Sequence, residues 1–275
     1  MEKKLNKLLE SVGDMALKRR AKHIILGVNP QAGDNILDVG CGDGYYSYLM
    51  SNLSVKSKIT GTDFDPNALK SARRNLKGKN IKLFQADLMK ELPFRARTFD
   101  KAVMSEVCEH LPNDVKGLKE VNRVLKKNGI LIVTVPNKNY PMFWDPVNWM
   151  LEHLFGTHVS TGFWAGIWNQ HERLYSPNEI KKSVEKAGFK VVETKSLTFW
   201  SLPFNHNLLY LAARTLYGGG FSPVIEQSVS KYEQPKSRPF FITLAFWFVN
   251  LVDKLNDFLQ PTNSGVGVFI KAIKS

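Results

Sequence analysis

The sequence predicts a doubly wound α/β fold: one mostly parallel, seven-stranded sheet with helices on both faces. Two observations predict it. From residue 36 to residue 135, short apolar runs alternate with amphipathic helical stretches, the pattern that builds a parallel sheet. The first of those runs empties into a glycine-rich turn, and a helix follows at once. A third observation sets the exceptions. Stretches 138–175 and 198–265 break the alternation, and all six tryptophans of the chain fall within them. They read as apolar, mainly helical caps inserted after strands five and six.

The elements follow in order. Residues 3–27 read as one basic amphipathic helix, with Leu5, Leu8, Leu9, Val12, Met15 and Leu17 near helical spacing. Strands are expected at Ile36–Val39, Lys58–Thr62, Ile81–Gln85, Phe99–Met104 and Ile130–Val135. Helices are expected at Tyr45–Leu53, Pro66–Leu76 and Val115–Leu125. Asp65 is the expected N-cap of the second of these, with Pro66 at its first position. A helix at Ser176–Ala187, a strand at Lys190–Lys195 and a last strand at Val266–Ile273 complete the set. The division expected is a main domain from 1–137, 176–197 and 266–275, with the two caps between.

The bulk numbers agree with one domain carrying insertions. The chain has 275 residues, 43% hydrophobic and 11% aromatic, enough for a substantial core. Two cysteines, Cys41 and Cys108, make no disulfide framework. The first 25 residues lack an apolar signal stretch, so a cytoplasmic protein is expected, with membrane association left open. The net charge of +13 admits a plain basic surface, a nucleic acid or an anionic membrane. The basic clusters, Lys3 to Lys22 and Lys70 to Lys82, do not interleave with aromatics as a single-strand binding surface would.

The chemistry concentrates in Ile36-Leu-Asp-Val-Gly-Cys-Gly-Asp-Gly44. Gly40, Gly42 and Gly44 let backbone approach a ligand closely, and the helix N-terminus faces it. The spacing is not the Gly-x-Gly-x-x-Gly of dinucleotide sites. Asp38 would repel a pyrophosphate but can pair with an ammonium, which favours a ligand with an amino-acid end. Asp63, nineteen residues past Gly44, can accept from both hydroxyls of a ribose. After the third strand, Asp87 can accept from an adenine amino group and Leu88 can cover the ring. Acids at successive strand ends make isolated surface charge a poor account of them.

These residues, with Ser105-Glu-Val-Cys-Glu-His-Leu111 and Lys126-Lys-Asn-Gly129, resemble the class I S-adenosylmethionine-dependent methyltransferase superfamily. The Glu106-x-x-Glu109-His110-Leu111 pattern is most similar to its ubiquinone-type O-methyltransferases. The likeness covers residues 20–137, 171–197 and 266–274. It implies S-adenosylmethionine as cofactor, held by Gly40, Asp63, Phe64, Asp87, Leu88 and Ser105. It also places Arg20 where that group has a cofactor-contacting arginine; surface charge is the alternative for Arg20. The caps have no counterpart in the resemblance.

A sulfonium methyl is already activated, so the protein needs mainly to align a nucleophile and exclude water. A hydroxyl acceptor would gain from a base, and His110, His171, Glu106 and Glu109 are the candidates. The alternative is that His110 caps a helix and His171 only packs. Glu109 and His110 alone are too few ligands, so no metal is expected.

Both caps leave from carboxyl ends of strands, the edge where such sheets bind ligands. Their composition therefore bears on the acceptor. The run Pro239–Val252 is 14 residues, short of the about 20 a spanning helix needs, and reads as buried or interfacial. Leu208-Leu-Tyr-Leu211 adds apolar surface. A lipid or isoprenoid-like acceptor, taken from a membrane surface, is expected. A small soluble metabolite, RNA or protein acceptor, and a non-catalytic cofactor-binding protein, are the alternatives. The missing Asn/Asp-Pro-Pro-Tyr string after strand four speaks against methylation of a flipped adenine.

Overall fold

The computed structural model describes residues 1–275 apart from 11, 55, 170, 202–229, 233–238, 259–260 and 262. The expected Leu208–Leu211 surface lies outside the described residues.

The strands are β1 (Asn35–Val39), β2 (Lys58–Asp63), β3 (Ile81–Gln85), β4 (Phe99–Ser105), β5 (Leu125–Pro136), β6 (Phe189–Leu197) and β7 (Gly267–Lys274). They form one seven-stranded sheet in the order β3-β2-β1-β4-β5-β7-β6. Neighbours from β3 to β5 run parallel; β7 runs antiparallel to both β5 and β6.

The helices are α1 (Glu2–Leu9), α2 (Met15–Val28), α3 (Tyr45–Leu53), α4 (Pro66–Asn75), α5 (Asp114–Val124), α6 (Pro146–Phe155), α7 (Pro177–Lys186), α8 (Phe240–Asp253) and α9 (Leu255–Phe258). Their starts are written in the sequence. Asp65 accepts from the Asn67 amide ahead of Pro66, and Ser176 with Glu179 forms a reciprocal capping box ahead of Pro177. The single N-terminal helix expected over 3–27 is two helices. Asp14 accepts from the Leu17 amide and starts α2 afresh, and Gly13 before it favours no helix.

Successive residues of a strand face opposite sides, and the core divides accordingly. On one face Leu37, Val39, Ala102, Met104, Leu131 and Val133 pack with α5 and α7. On the other, Ile36, Val103, Ile132 and Phe269 pack with α1, α2 and α3. Continuous apolar runs are what two covered faces require.

The chain leaves the sheet after β5 and again after β6, and the four roots are stitched together. Asn137 donates from its amide to Val266, Val266 to Thr198, and Lys138 to Tyr175, at 2.9, 3.0 and 2.9 Å. Within 138–175, order comes from polar groups as well as aromatics. Buried Asp145 accepts from the Asn148 side chain and the Ile167 amide, and Glu152 accepts from Tyr140 and Trp168. Among the described residues, no helix is long and apolar enough to cross a membrane.

Candidate active site

The glycine turn between β1 and α3 holds Gly40, Gly42 and Gly44 at φ of 66°, 54° and 89°. A Cβ on Gly40 would stand 2.4 Å from Val107 Cγ2, so the turn is pressed against the segment after β4. A Cβ on Gly42 would meet nothing within 4 Å, so the outer side of the turn is open to a ligand. The Cys41 amide donates to the Thr62 carbonyl, and the Gly42 amide to Asp63 Oδ2 at 2.7 Å. Asp63 Oδ1 accepts from the Asp65 amide. Asp63 thus sits beside the open turn with its geometry set by two backbone donors.

Asp38 lies below the turn. It is 1% exposed and accepts from Ser47 Oγ at 2.6 Å. Burial pushes its carboxyl up to about 6. Asp38, expected to pair with an ammonium, sits buried beneath the turn and braces it against α3 through Ser47. The expectation for Leu88 is corrected. It is buried in the core near Gly117, so it offers no face to a ring. Phe64 does, standing 71% exposed directly after Asp63. Asp87 stays at the strand end, accepting from the Met89 amide.

The segment after β4 brings together groups distant in sequence. Glu106, at a φ of 55°, forms an ion pair with Arg20 of α2 and accepts from Thr134 Oγ1 of β5 at 3.0 Å. Ser105 and Thr134 hydroxyls lie 2.8 Å apart. Burial disfavours the Arg20 charge, but Glu106 outweighs it and holds the guanidinium firmly protonated. Arg20 is therefore no surface charge. Glu106 is corrected as a base: its oxygens are committed to Arg20 and Thr134. Arg20 Nε remains buried with no partner.

His110 ends a 3₁₀ turn over Cys108–His110, and Asn113, not His110, caps α5. His171 follows the 3₁₀ stretch Phe163–Trp168. Although 61 residues apart, the two rings meet, with centroids 5.5 Å apart. Burial and then His171 lower the His110 pKa. Glu109 lies between them at 0% exposure, and burial first, then Glu106, drives its carboxyl well above the usual range. A cavity of about 120 Å³ opens beside this group, its lining including Asp14, Arg20, Glu106, Trp144, His171 and Thr198.

Sequence reasoning missed one neighbour of the turn. Lys231 forms an ion pair with Asp43 at 2.8 Å, and Tyr232 Oη donates to the Asp43 carbonyl at 2.8 Å. Tyr48 Oη in turn donates to the Tyr232 carbonyl. Nothing in Ser230-Lys-Tyr232 marks it as a partner of a loop nearly 190 residues earlier.

An open glycine turn, an acid at the next strand end and an exposed ring beside it suit a nucleoside carrying an amino-acid tail. The comparisons agree. Residues 37–133 match the family described as methyltransferase domain. The chain is 30% identical over 189 residues to a demethylmenaquinone methyltransferase of Staphylococcus carnosus (strain TM300), covering 64% of this chain and 76% of that one. It is 28% identical over 210 residues to that of Staphylococcus aureus (strain Newman), covering 72% and 85%. In fold it is similar to an S-adenosylmethionine dependent methyltransferase from Mesorhizobium loti, at 14% identity and a TM-score of 0.52, covering 93% and 96%. It is also similar to phosphoethanolamine N-methyltransferase 2 of Haemonchus contortus in complex with S-adenosyl-L-methionine, at 17% identity and 0.57, covering 93% and 52%. The chain belongs to the class I S-adenosylmethionine-dependent methyltransferases. It is an enzyme of that class, and S-adenosylmethionine is its cofactor.

Proposed function

We propose that the enzyme transfers a methyl group to an oxygen of a hydrophobic, quinone- or isoprenoid-like acceptor. The observation that carries this is the apolar surface on the two segments rooted at the carboxyl edge. Met150, Leu154 and Phe155 on α6, and Phe240, Leu244, Trp247 and Phe248 on α8, all stand exposed. Contiguous exposed apolar surface marks a binding face for lipid or protein. The names of the Staphylococcus relatives support a quinone acceptor. In this reading segments 138–175 and 198–265 act as caps over the acceptor.

The cofactor supplies the activated methyl. Gly40, Gly42 and Gly44 hold its amino-acid end close to the backbone, Asp63 takes the ribose, Asp87 the adenine amine, and Phe64 stacks on the ring. Ser105 and Arg20 bound the inner wall. His171 and His110 face the acceptor, and a neutral imidazole there can take a hydroxyl proton. The enzyme is then a cytoplasmic protein that works at a membrane surface.

The test is methyl transfer from radiolabelled S-adenosylmethionine into a cell extract, divided into lipid, RNA, protein and small-molecule fractions. Label in the lipid fraction is expected. Label confined to any other fraction would overturn the hydrophobic acceptor while leaving the methyltransferase intact.

A further inference from the structure

We propose that Lys231 and Tyr232 are positioning residues for the cofactor: gripping Asp43, they hold the glycine turn in the form that S-adenosylmethionine binds. In Gly42-Asp43-Gly44 two glycines, at φ of 54° and 89°, flank a single side chain. Glycine backbone reaches many conformations, so a run of this composition does not fix its own shape. Asp43 is the one residue of the three with a side chain by which the rest of the protein can hold it.

The hold has two parts. The Asp43 carbonyl accepts from Asn75 Nδ2 of α4 at 3.0 Å and from Tyr232 Oη at 2.8 Å. The Asp43 carboxylate pairs with Lys231, whose Nζ is 2.8 Å from Oδ2. Burial, and after it Asp43, pushes the Tyr232 hydroxyl far above its ordinary range, so at neutral pH it is always a donor. With both residues in place the approach past Gly42 stays open, since a Cβ there would meet nothing within 4 Å.

Tyr232 has a seat on α3. Tyr45 and Tyr48 are three positions apart on that helix and share a face. The Tyr232 ring meets both edge-on, with centroids 5.6 and 5.2 Å away and planes at 89° and 78°. Tyr48 Oη donates to the Tyr232 carbonyl at 2.8 Å, and the Tyr232 amide donates to Ser230 Oγ at 3.3 Å. Lys231 Nζ lies 4.8 Å from the Tyr45 ring centroid, a cation over an aromatic face.

The turn has other supports for its fold. The Cys41 amide donates to Thr62, and the Gly44 amide to Cys41, both at 2.8 Å and neither through Lys231 or Tyr232. The Lys231 and Asp43 side chains are 30% and 40% exposed, and ion pairs that wet add little to stability. Their effect falls instead on the freedom left to the turn. A ligand that needs one form of a loop binds more weakly when that freedom must be given up on binding. By linkage, the seated cofactor holds Lys231 and Tyr232 in place in return. The proposal rests on the cofactor alone and is independent of the acceptor.

The test measures S-adenosylhomocysteine binding to the full chain by calorimetry, and stability without ligand by urea unfolding. Tyr232→Phe removes the donor and keeps the ring; Lys231→Met removes the charge and keeps the stem. Each is expected to weaken S-adenosylhomocysteine binding about 10-fold while the unfolding midpoint stays close to the parent's. Lys231→Arg keeps a cation for Asp43 and is expected to retain the parent's affinity. Saturating S-adenosylhomocysteine is expected to slow amide exchange at Tyr232 in the parent chain. Parent-like affinity in either Tyr232→Phe or Lys231→Met overturns the proposal. So does a lowered midpoint with the folded protein's affinity unchanged, which is what bracing alone would give. Binding by Lys231→Arg as weak as by Lys231→Met, or exchange at Tyr232 indifferent to the ligand, counts against it equally.

Discussion

Beneath the glycine turn, Asp38 keeps a carboxyl in the core with Ser47 as its donor. It ionises at about 6 in the folded chain against 3.8 for a free side chain. Between those values the folded state holds the extra proton, so stability falls as pH rises from about 4 to about 6 and stays lower above. Two pKa units correspond to about 3 kcal/mol. Asp38→Asn keeps an acceptor for Ser47 and removes the ionisation. It is expected to match the parent near pH 4 and exceed its stability by up to about 3 kcal/mol at pH 7.5, measured by urea unfolding. An unchanged difference between the two pH values would mean the carboxyl carries no such cost. At this scale the sequence is informative where a role is local. Asp65 caps its own helix and the three glycines shape their own turn, and both were readable in place. Arg20 with Glu106, and His110 with His171, depend on partners 86 and 61 positions away, which no local pattern records. Leu88 misleads because a leucine beside a ligand and a leucine in the core look alike in sequence.

Among the elements, α8 illustrates how an apolar helix is held by polar contacts. Its exposed face carries Phe240, Leu244, Trp247 and Phe248, while its end is fixed to α2 by charge. Arg19 Nε meets Asp253 Oδ1 at 2.5 Å, and its Nη2 meets Asp257 at 2.9 Å and the Asp253 carbonyl. The Arg19 and Asp253 side chains are only 8% and 10% exposed. Removing one partner of a buried pair costs up to about 3–5 kcal/mol, reduced here because Lys18 Nζ stays 3.5 Å from Asp253 Oδ2. Arg19→Ala is expected to free α8 locally, seen as faster amide exchange over residues 240–258 with the sheet still protected. Retained protection there would show that another contact anchors the helix. The strands were legible because burial on both faces demands continuous apolar runs. The break at Gly13-Asp14 was not, because Leu5, Leu9, Val12 and Met15 keep the same spacing across it.

For the molecule as a whole, α6 and α8 present apolar side chains outward on a chain of net charge +13. A face of that kind on a basic protein suits an anionic bilayer, with salt weakening only the electrostatic part. Trp247→Glu is expected to abolish most co-sedimentation with anionic vesicles and leave cofactor binding unchanged. If the parent chain does not sediment with such vesicles, the apolar face serves something other than lipid. The sheet and the cofactor edge were visible in the alternation of elements. The arrangement of segment 138–175 and of the described part of 198–265 was not, because it rests on single contacts such as Asn137 to Val266 and Asn256 to Trp200.

The place of β7 bears on the order of assembly. Residues 267–274 lie between β5 and β6, and among the described residues β6 pairs with β7 alone. While the chain is being synthesised, β6 has no hydrogen-bonding neighbour until some seventy later residues have emerged. The half of the sheet from β3 to β5 can form early, from contacts close in sequence. The edge made by β6 must wait, with α7 covering one side of a strand that has nothing to pair with. A nascent chain of this topology therefore passes through a stage with an unpaired edge at β5, the kind of surface that chaperones hold and that aggregation exploits.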